Sequence, residues 1–456
     1  MESATEMQYK AAVAESELEP ASTTVLLVTA THWPFTTRLC LAMADSGLDV
    51  RAVAPKHHAL HQISSIATEC LGHSRRRALA DISMAIERHT PKLIVPGDEL
   101  AIEWLRILYA RSIRGLGRNP SYVGRLIETS VGSPSAFAPE SQKSGLIALA
   151  RQEGVLVPAT EAVRNIEHLR KLIADARFPL VLKRDDSFGG QGVRIVENRQ
   201  QAERAFSELR FAGGPMGALK QVIKRLDVAP LERLWRRAPT IALQAHVDGR
   251  PANRAIVCTR GTVLAGLSVE VAQTLHASGP SSVVQIIDSP QMTMAVARLT
   301  RRLGLSGFVG FDFMLEGSGD RPYLIEMNMR PTPICHLAFD SETDLIGALA
   351  TSVTGTRRRR AMLSRGTRTI ALFPQESWRD PQSSHLQSAY HDVPWQSPEF
   401  LAAYRSRITP DPNWLNTILE QGRQIIQRFH HRTAPATGTL AGDQPQSLHR
   451  CGPDHL

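Results

Sequence analysis

Residues 308–330, FVGFDFMLEGSGDRPYLIEMNMR, place two apolar stretches on either side of EGSGDRP (316–322). Gly, Asp and Pro between apolar segments mark a turn, so this part of the chain is predicted to fold back as an antiparallel hairpin. Side chains alternate along a strand, which puts Glu326, Asn328 and Arg330 on one face and Ile325, Met327 and Met329 on the other. On the first strand one acid, Asp312, lies between Phe311 and Phe313, and folding back can bring it opposite Glu326. Acids within an apolar strand need compensation. Two carboxylates and an amide oxygen suit a hard cation, Mg2+ with Mn2+ as the alternative, whose shell is often completed by phosphate oxygens. Arg330 can face the same phosphates. The competing reading is a pair of solvated charges at a hairpin rim.

The 456 residues leave room for about three domains. Hydrophobic residues at 42% and charged ones at 21% supply an ordinary core and surface. No apolar run reaches about 18 residues, so no membrane span is expected. The net charge of +9 gathers at 75–77, 301–302 and 357–360. Neither an aromatic and basic platform nor a recognition helix accompanies these arginines, so they read as a basic surface rather than a nucleic-acid site. Cys40, Cys70, Cys258, Cys335 and Cys451 are odd in number and widely spaced, as expected of reduced thiols in a cytoplasmic protein.

Segments 25–30, 35–46, 48–55, 77–89 and 92–99 alternate strand and helix, an α/β pattern with a parallel sheet. The turn THWPFTT after the first strand carries neither a GxGxxG nor a Walker A pattern. A helix over 141–153 stops at Gly154, and a short strand is expected to enter Pro158. Residues 178–186 and 192–198 read as strands around a glycine turn, and a helix follows them. The stretch 241–272 reads as antiparallel strands joined by DGRP and TRGT. A helix near 343–353, a strand at 368–374 and an amphipathic helix at 412–429 complete the pattern. The expected organisation is a disordered leader (1–24), an α/β domain (25–135), a second module (136–355), an extension (356–431) and a disordered tail (432–456).

Lys183 ends an apolar strand, and FGGQG (188–192) follows, with Gly189, Gly190 and Gly192 leaving backbone amides open to a polyphosphate. An ordinary hairpin turn is the other reading of these glycines. QAHV (244–247) offers a short extended edge able to read an adenine, or a plain edge strand. In chain order Lys143, VLK ending at Lys183, FGGQG, LQAHVDG, FDF around Asp312, EMN from Glu326 to Asn328, and Arg330 resemble the ATP-grasp superfamily over roughly 136–355. EMNMR is the most specific part.

The resemblance implies a two-subdomain α+β fold behind a parallel-sheet α/β domain. It implies that Lys143 and Lys183 contact ATP phosphates, that the glycines close over them, and that Gln244, Ala245 and Val247 hold adenine. Asp312, Glu326 and Asn328 would bind magnesium, and Arg330 would steady an acyl phosphate or a substrate carboxylate. Where many members place an acid for the ribose, this chain has PANR (251–254), with Asn253 as a polar substitute. The activity implied is ATP-dependent joining of a small carboxylate to an amine or similar nucleophile, with a homodimer as an option. A bicarbonate-activating subunit and a non-catalytic ATP-binding protein are the alternatives. His336 and Glu270 read either as substrate contacts or as structural groups, and Cys335 as a nucleophile or a buried thiol.

Overall fold

Strand β1 (Thr24–Val28) is buried along its whole length, the pattern of an interior strand in a parallel sheet covered on both faces. The computed structural model describes residues 23–405 apart from 73, 135–142, 185–191, 212–239, 277–278, 318–319, 359 and 365. Residues 1–22 of the leader, Gly189 and Gly190, the 412–429 helix and the tail therefore lie outside the described residues, while Thr24, expected in the leader, already opens β1. From β1 the chain runs through α1 (Pro34–Asp45), β2 (Asp49–Pro55), β3 (Ala67–Leu71), α2 (Arg75–His89), β4 (Leu93–Pro96), α3 (Glu99–Ser112) and α4 (Pro120–Val131). The strands form a parallel sheet in the order β3-β2-β1-β4. Val25 and Leu27 face one core with Leu39 and Met43 of α1. Leu26 and Val28 face another with Leu79 and Ile82 of α2 and Ile127 of α4. This is the expected α/β layer.

Helix α5 (Lys143–Gln152) leads to β5 (Thr160–Val163), α6 (Ile166–Leu172), β6 (Leu180–Arg184), β7 (Val193–Val196), α7 (Arg199–Phe211) and β8 (Ile241–Ala245). The strand expected before Pro158 begins after it, at Thr160. These strands make a small antiparallel sheet in the order β5-β8-β6-β7. One face has its own core, where Leu180, Leu182 and Leu243 pack on Leu169 of α6 and Phe206 of α7.

A seven-stranded sheet carries the rest: β9 (Gly249–Thr259), β10 (Thr262–Thr274), β11 (Ser281–Ile286), β12 (Gly307–Glu316), β13 (Arg321–Asn328), β14 (Thr369–Leu372) and β15 (Tyr390–Asp392), in the order β13-β12-β9-β10-β11-β14-β15. Between β9 and β10, Arg260 and Gly261 both take positive φ, the two-residue turn whose twist suits a hairpin. DGRP is not a turn between sheet neighbours, because Gly249–Thr259 is already strand and β8 lies in the other sheet. Helices α8 (Pro290–Leu303), α9 (Leu345–Thr354) and α10 (Pro398–Arg405) pack on the large sheet or its extension. Val257, Val269 and Phe308 share the core of α1, whereas Ile256, Phe311, Phe313 and Leu324 share that of α2. Truncating a fully buried phenylalanine such as Phe311 is expected to cost about 3–5 kcal/mol. Among the described residues no helix is long and apolar enough to cross a membrane.

Candidate active site

Strands β12 and β13 pair antiparallel with Asp312 directly opposite Glu326 and Gly310 opposite Asn328. The register shifts between Asp312 and Phe313, which pairs with Leu324. The extra residue is Ile325. Such a bulge changes the phase of alternation, so Leu324 fills the core beside Phe313 while Glu326 and Asn328 emerge beside Asp312. On its other side Asp312 faces Asn253 of β9.

The amides clasp the acid. Asn253 donates from Nδ2 to Asp312 Oδ1 at 2.7 Å and Asn328 from Nδ2 to Oδ2 at 2.8 Å. Thr332 reaches over Gly310 and donates to Asn253 Oδ1 at 3.4 Å. A side chain at position 310 would strike Thr332, since a Cβ there would lie 2.3 Å from its Cγ2. Burial, and then the facing Glu326, push the Asp312 carboxyl up to about 6 in spite of the amides and Arg330. That imbalance fits a bound dication, which would relieve both causes. The donors also fit, being two carboxylates and the Asn328 amide, whose nitrogen is committed to Asp312 and whose oxygen is the end left to coordinate. Among the described residues no group of three or more His, Cys, Asp and Glu could hold a metal without outside oxygens.

Arg330 lies just past β13. Its Nε donates to Glu99 Oε1 at 2.7 Å and its Nη2 lies 2.5 Å from the same oxygen. Nη1 donates to the Pro331 carbonyl at 3.1 Å, and the guanidinium carbon sits 5.3 Å from the centre of the Trp33 ring. Glu99 opens α3 and Trp33 precedes α1, so the ends of the parallel strands meet the hairpin here. Asp98 locks the two together. Its Oδ2 accepts from the Ala30 and Thr31 amides at 2.6 and 3.0 Å, and its Oδ1 caps α3 by accepting from Ala101 N at 3.0 Å.

Lys143 is the first residue of α5, a helix that packs against β13. Lys183 lies in the small sheet, opposite Val193 and Ala242, on the face turned away from α6 and α7. Exposed Ile195 shares that face across from Val181, as does Gln244. Gly192 immediately precedes β7, and its carbonyl accepts from Arg184 N at 2.9 Å. The edge expected at 244–247 is not one. Strand β8 runs between β5 and β6, the Gln244 side chain donates to Thr160 Oγ1 at 2.9 Å, and the Ala245 amide is given to Ala159 O at 2.8 Å. Val247 is buried in the short connection to β9.

Asn253, the polar group where many members place an acid for the ribose, gives its amide to Asp312. Sequence reasoning missed Thr332, Glu99 and Trp33; the PGDE signature of a capped helix after a strand pointed to the second of these. His336 and Glu270 each have a partner within the protein: His336 Nε2 lies 2.6 Å from buried Asp392, and Glu270 accepts from Arg250 at 2.8 Å. Cys335 is a buried thiol, pushed by burial up to about 11.

An acid pair clasped by two amides, with a guanidinium–carboxylate pair just beyond it, thus sits on an α/β plus two-sheet frame. Residues 142–333 match a family model described as an ATP-grasp domain, and the chain carries an ATP-grasp domain. No curated protein sequence matches the chain. Among solved structures, biotin carboxylase from Campylobacter jejuni, in its β-γ-ATP complex, is 16% identical over 74% of this chain and 72% of its own, with a TM-score of 0.52. The biotin carboxylase domain of Hydrogenobacter thermophilus 2-oxoglutarate carboxylase, in complex with MgADP, ADP and bicarbonate, is 14% identical over 74% and 71%, with a TM-score of 0.50. L-amino acid ligase from Bacillus licheniformis is 13% identical over 77% and 80%, with a TM-score of 0.51. At these identities the likeness is one of fold.

Proposed function

We propose that this protein is an ATP-dependent ligase that activates a carboxylate as an acyl phosphate and passes the acyl group to an amine. The observation that carries the reading is the facing pair Asp312 and Glu326, with Arg330 just beyond, inside an ATP-grasp domain. A substrate carboxylate approaching the γ-phosphate of ATP meets like charge, and the barrier falls where that charge is neutralised in a dry, fixed setting. Mg2+ held by Asp312, Glu326 and Asn328 would neutralise phosphate oxygens. Arg330 would receive the substrate carboxylate, and Lys143 and Lys183, with the backbone amides of Gly189, Gly190 and Gly192, would balance the triphosphate. Adenine sits where β8 ends, at Ala245 to Val247, with Gln244 shaping the pocket through Thr160.

In the first step a carboxylate oxygen bonds to the γ-phosphorus and the bond to the ADP oxygen breaks. In the second the amine nitrogen attacks the acyl carbon, inorganic phosphate leaves with the bonding pair, and the amine loses a proton. Exclusion of water protects the acyl phosphate between the steps. The test is ADP release by the full-length protein with ATP and Mg2+, screened over amino acids, other carboxylates and bicarbonate with and without amines, and mass spectrometry of the products. An amide-bonded product with stoichiometric ADP is expected. Absence of ADP release across the whole panel would overturn the reading.

A further inference from the structure

We infer that the substrate carboxylate carries a neighbouring ammonium group, and that Glu99 is the residue that reads it. This rests on the ligase reading, in which Arg330 receives the carboxylate. The edge of a guanidinium formed by Nε and one terminal nitrogen is the edge that grips a carboxylate with two parallel hydrogen bonds. In Arg330 that edge is filled by Glu99 Oε1, at 2.7 and 2.5 Å. The remaining terminal nitrogen is spent on the Pro331 carbonyl, and Trp33 covers a face. The Arg330 side chain is 12% exposed and that of Glu99 37%, so the pair opens to solvent at its acidic end.

A ligand carboxylate reaches this edge by displacing Glu99, and the displaced charge decides which ligands succeed. A bare carboxylate, or bicarbonate, leaves the Glu99 carboxylate without its cation, close to a site that already holds Asp312 and Glu326. A zwitterion replaces both members of the pair at once. Its carboxylate takes Arg330, its ammonium takes Glu99, and the net charge of the site is unchanged. Glu99 is suited to this because it is fixed at the first turn of α3, whose cap, Asp98, is itself bound to the loop that carries Trp33. The Trp33 ring adds a flat face for a ligand cation or an apolar group.

The experiment measures binding to the full-length protein, in the presence of Mg2+ and a non-hydrolysable ATP analogue, of the common amino acids and of their des-amino counterparts, such as L-leucine against 4-methylpentanoate. At least one amino acid is expected to bind at least about tenfold more tightly than its des-amino partner. Glu99→Gln is expected to cut that ratio to below about threefold, because a neutral amide no longer rewards the ammonium. The inference is overturned if no amino acid binds, if des-amino acids or bicarbonate bind as tightly, or if Glu99→Gln weakens both members of a pair equally. The last result would make Glu99 only a prop for Arg330. The wild-type comparison stands even where the variant does not fold. ADP release with bicarbonate or des-amino acids alone would sink this inference and leave the ligase reading intact. Selective amino-acid binding without ADP release would do the reverse.

Discussion

The clusters around Asp312 and Asp392 both hold carboxylates withdrawn from water, and the chain resolves them in opposite ways. Asp392, on β15, receives His336 Nε2 at 2.6 Å and an ion pair from Arg38 of α1. Nearby, Arg360 pairs with Asp344, the cap of α9, and donates to the His336 carbonyl. Burial would push the Asp392 carboxyl up, but His336 and Arg38 outweigh it and hold the group below its ordinary range. Asp312 has two amides where Asp392 has an imidazole and a guanidinium. The guanidinium that acts on Asp312, Arg330, spends its hydrogen bonds on Glu99 and Pro331, so the carboxyl rises to about 6. Asp392 is held ionised by its own neighbours, whereas Asp312 is left raised, a perturbation of the kind that gathers at functional sites.

The sharpest break of this comparison is Glu326→Gln. It should lower ATP turnover by at least about 10^3-fold, roughly 4 kcal/mol of transition-state stabilisation, while leaving the thermal midpoint of the ligand-free protein unchanged or higher. Full turnover in that variant would remove the acid pair from the chemistry. The mirror experiment is Asp392→Asn, which strands a buried guanidinium and should cost about 3 kcal/mol of stability in a denaturant titration. A loss below about 1 kcal/mol would mean that the β15 cluster is not the clamp its geometry indicates.

What the sequence disclosed follows the range of the forces involved. The hairpin was legible because alternation and turn chemistry are local, and together they carry Asp312 to Glu326. The bulge at Ile325 was not, since it answers to the packing of Leu324 against the core. Asn253 stood in plain view, but its role depends on the alignment of β9 with β12, 59 residues away. Glu99 and Arg330 are separated by 231 residues, and no periodicity records such a meeting. The interior position of β8 was hidden for the same reason. The arginine run read as surface, yet Arg360 is buried against Asp344 and Arg358 lies against Gly47, where a Cβ would come within 2.5 Å of its guanidinium carbon.

A smaller effect separates the clusters by pH. Burial, followed by Arg38 and Arg360, holds the His336 pKa below its ordinary 6.5 although Asp392 pulls it upward. As pH falls below about 6.5, the unfolded chain takes up a proton at this imidazole that the folded chain does not. Stability therefore drops, by at most about 1.4 kcal/mol per pH unit for one group. Asp392 adds loss of the same sign at lower pH, because the unfolded carboxyl protonates near its ordinary 3.8 while the folded one stays ionised. Between pH 7 and 5 the Asp312 carboxyl, raised to about 6, adds stability as it protonates in the folded chain, so the His336 contribution is read as a difference: over that range the denaturation midpoint of His336→Gln should fall less, or rise more, than that of the wild type. An unchanged slope in that variant would assign the acid sensitivity elsewhere.

The finest test exchanges Asp312 for Asn. At pH 7 with a chelator present, the wild type keeps a carboxylate ionised against burial and against Glu326. The amide has the same shape and removes the repulsion; its oxygen still accepts from Asn253, while its nitrogen meets the Asn328 side chain, which must turn its oxygen inward to accept. The ligand-free variant should therefore be more stable than wild type by about 1 kcal/mol, the reverse in sign of Asp392→Asn. Adding Mg2+ and ADP should then raise the wild-type melting temperature well above that of the variant, because ligand binding to the folded state stabilises by mass action. This crossing of the two melting curves separates a cation-binding acid from a merely frustrated one. If the variant is the more stable protein both with and without Mg2+ and ADP, the raised carboxyl is strain without a ligand and the contrast between the two clusters disappears.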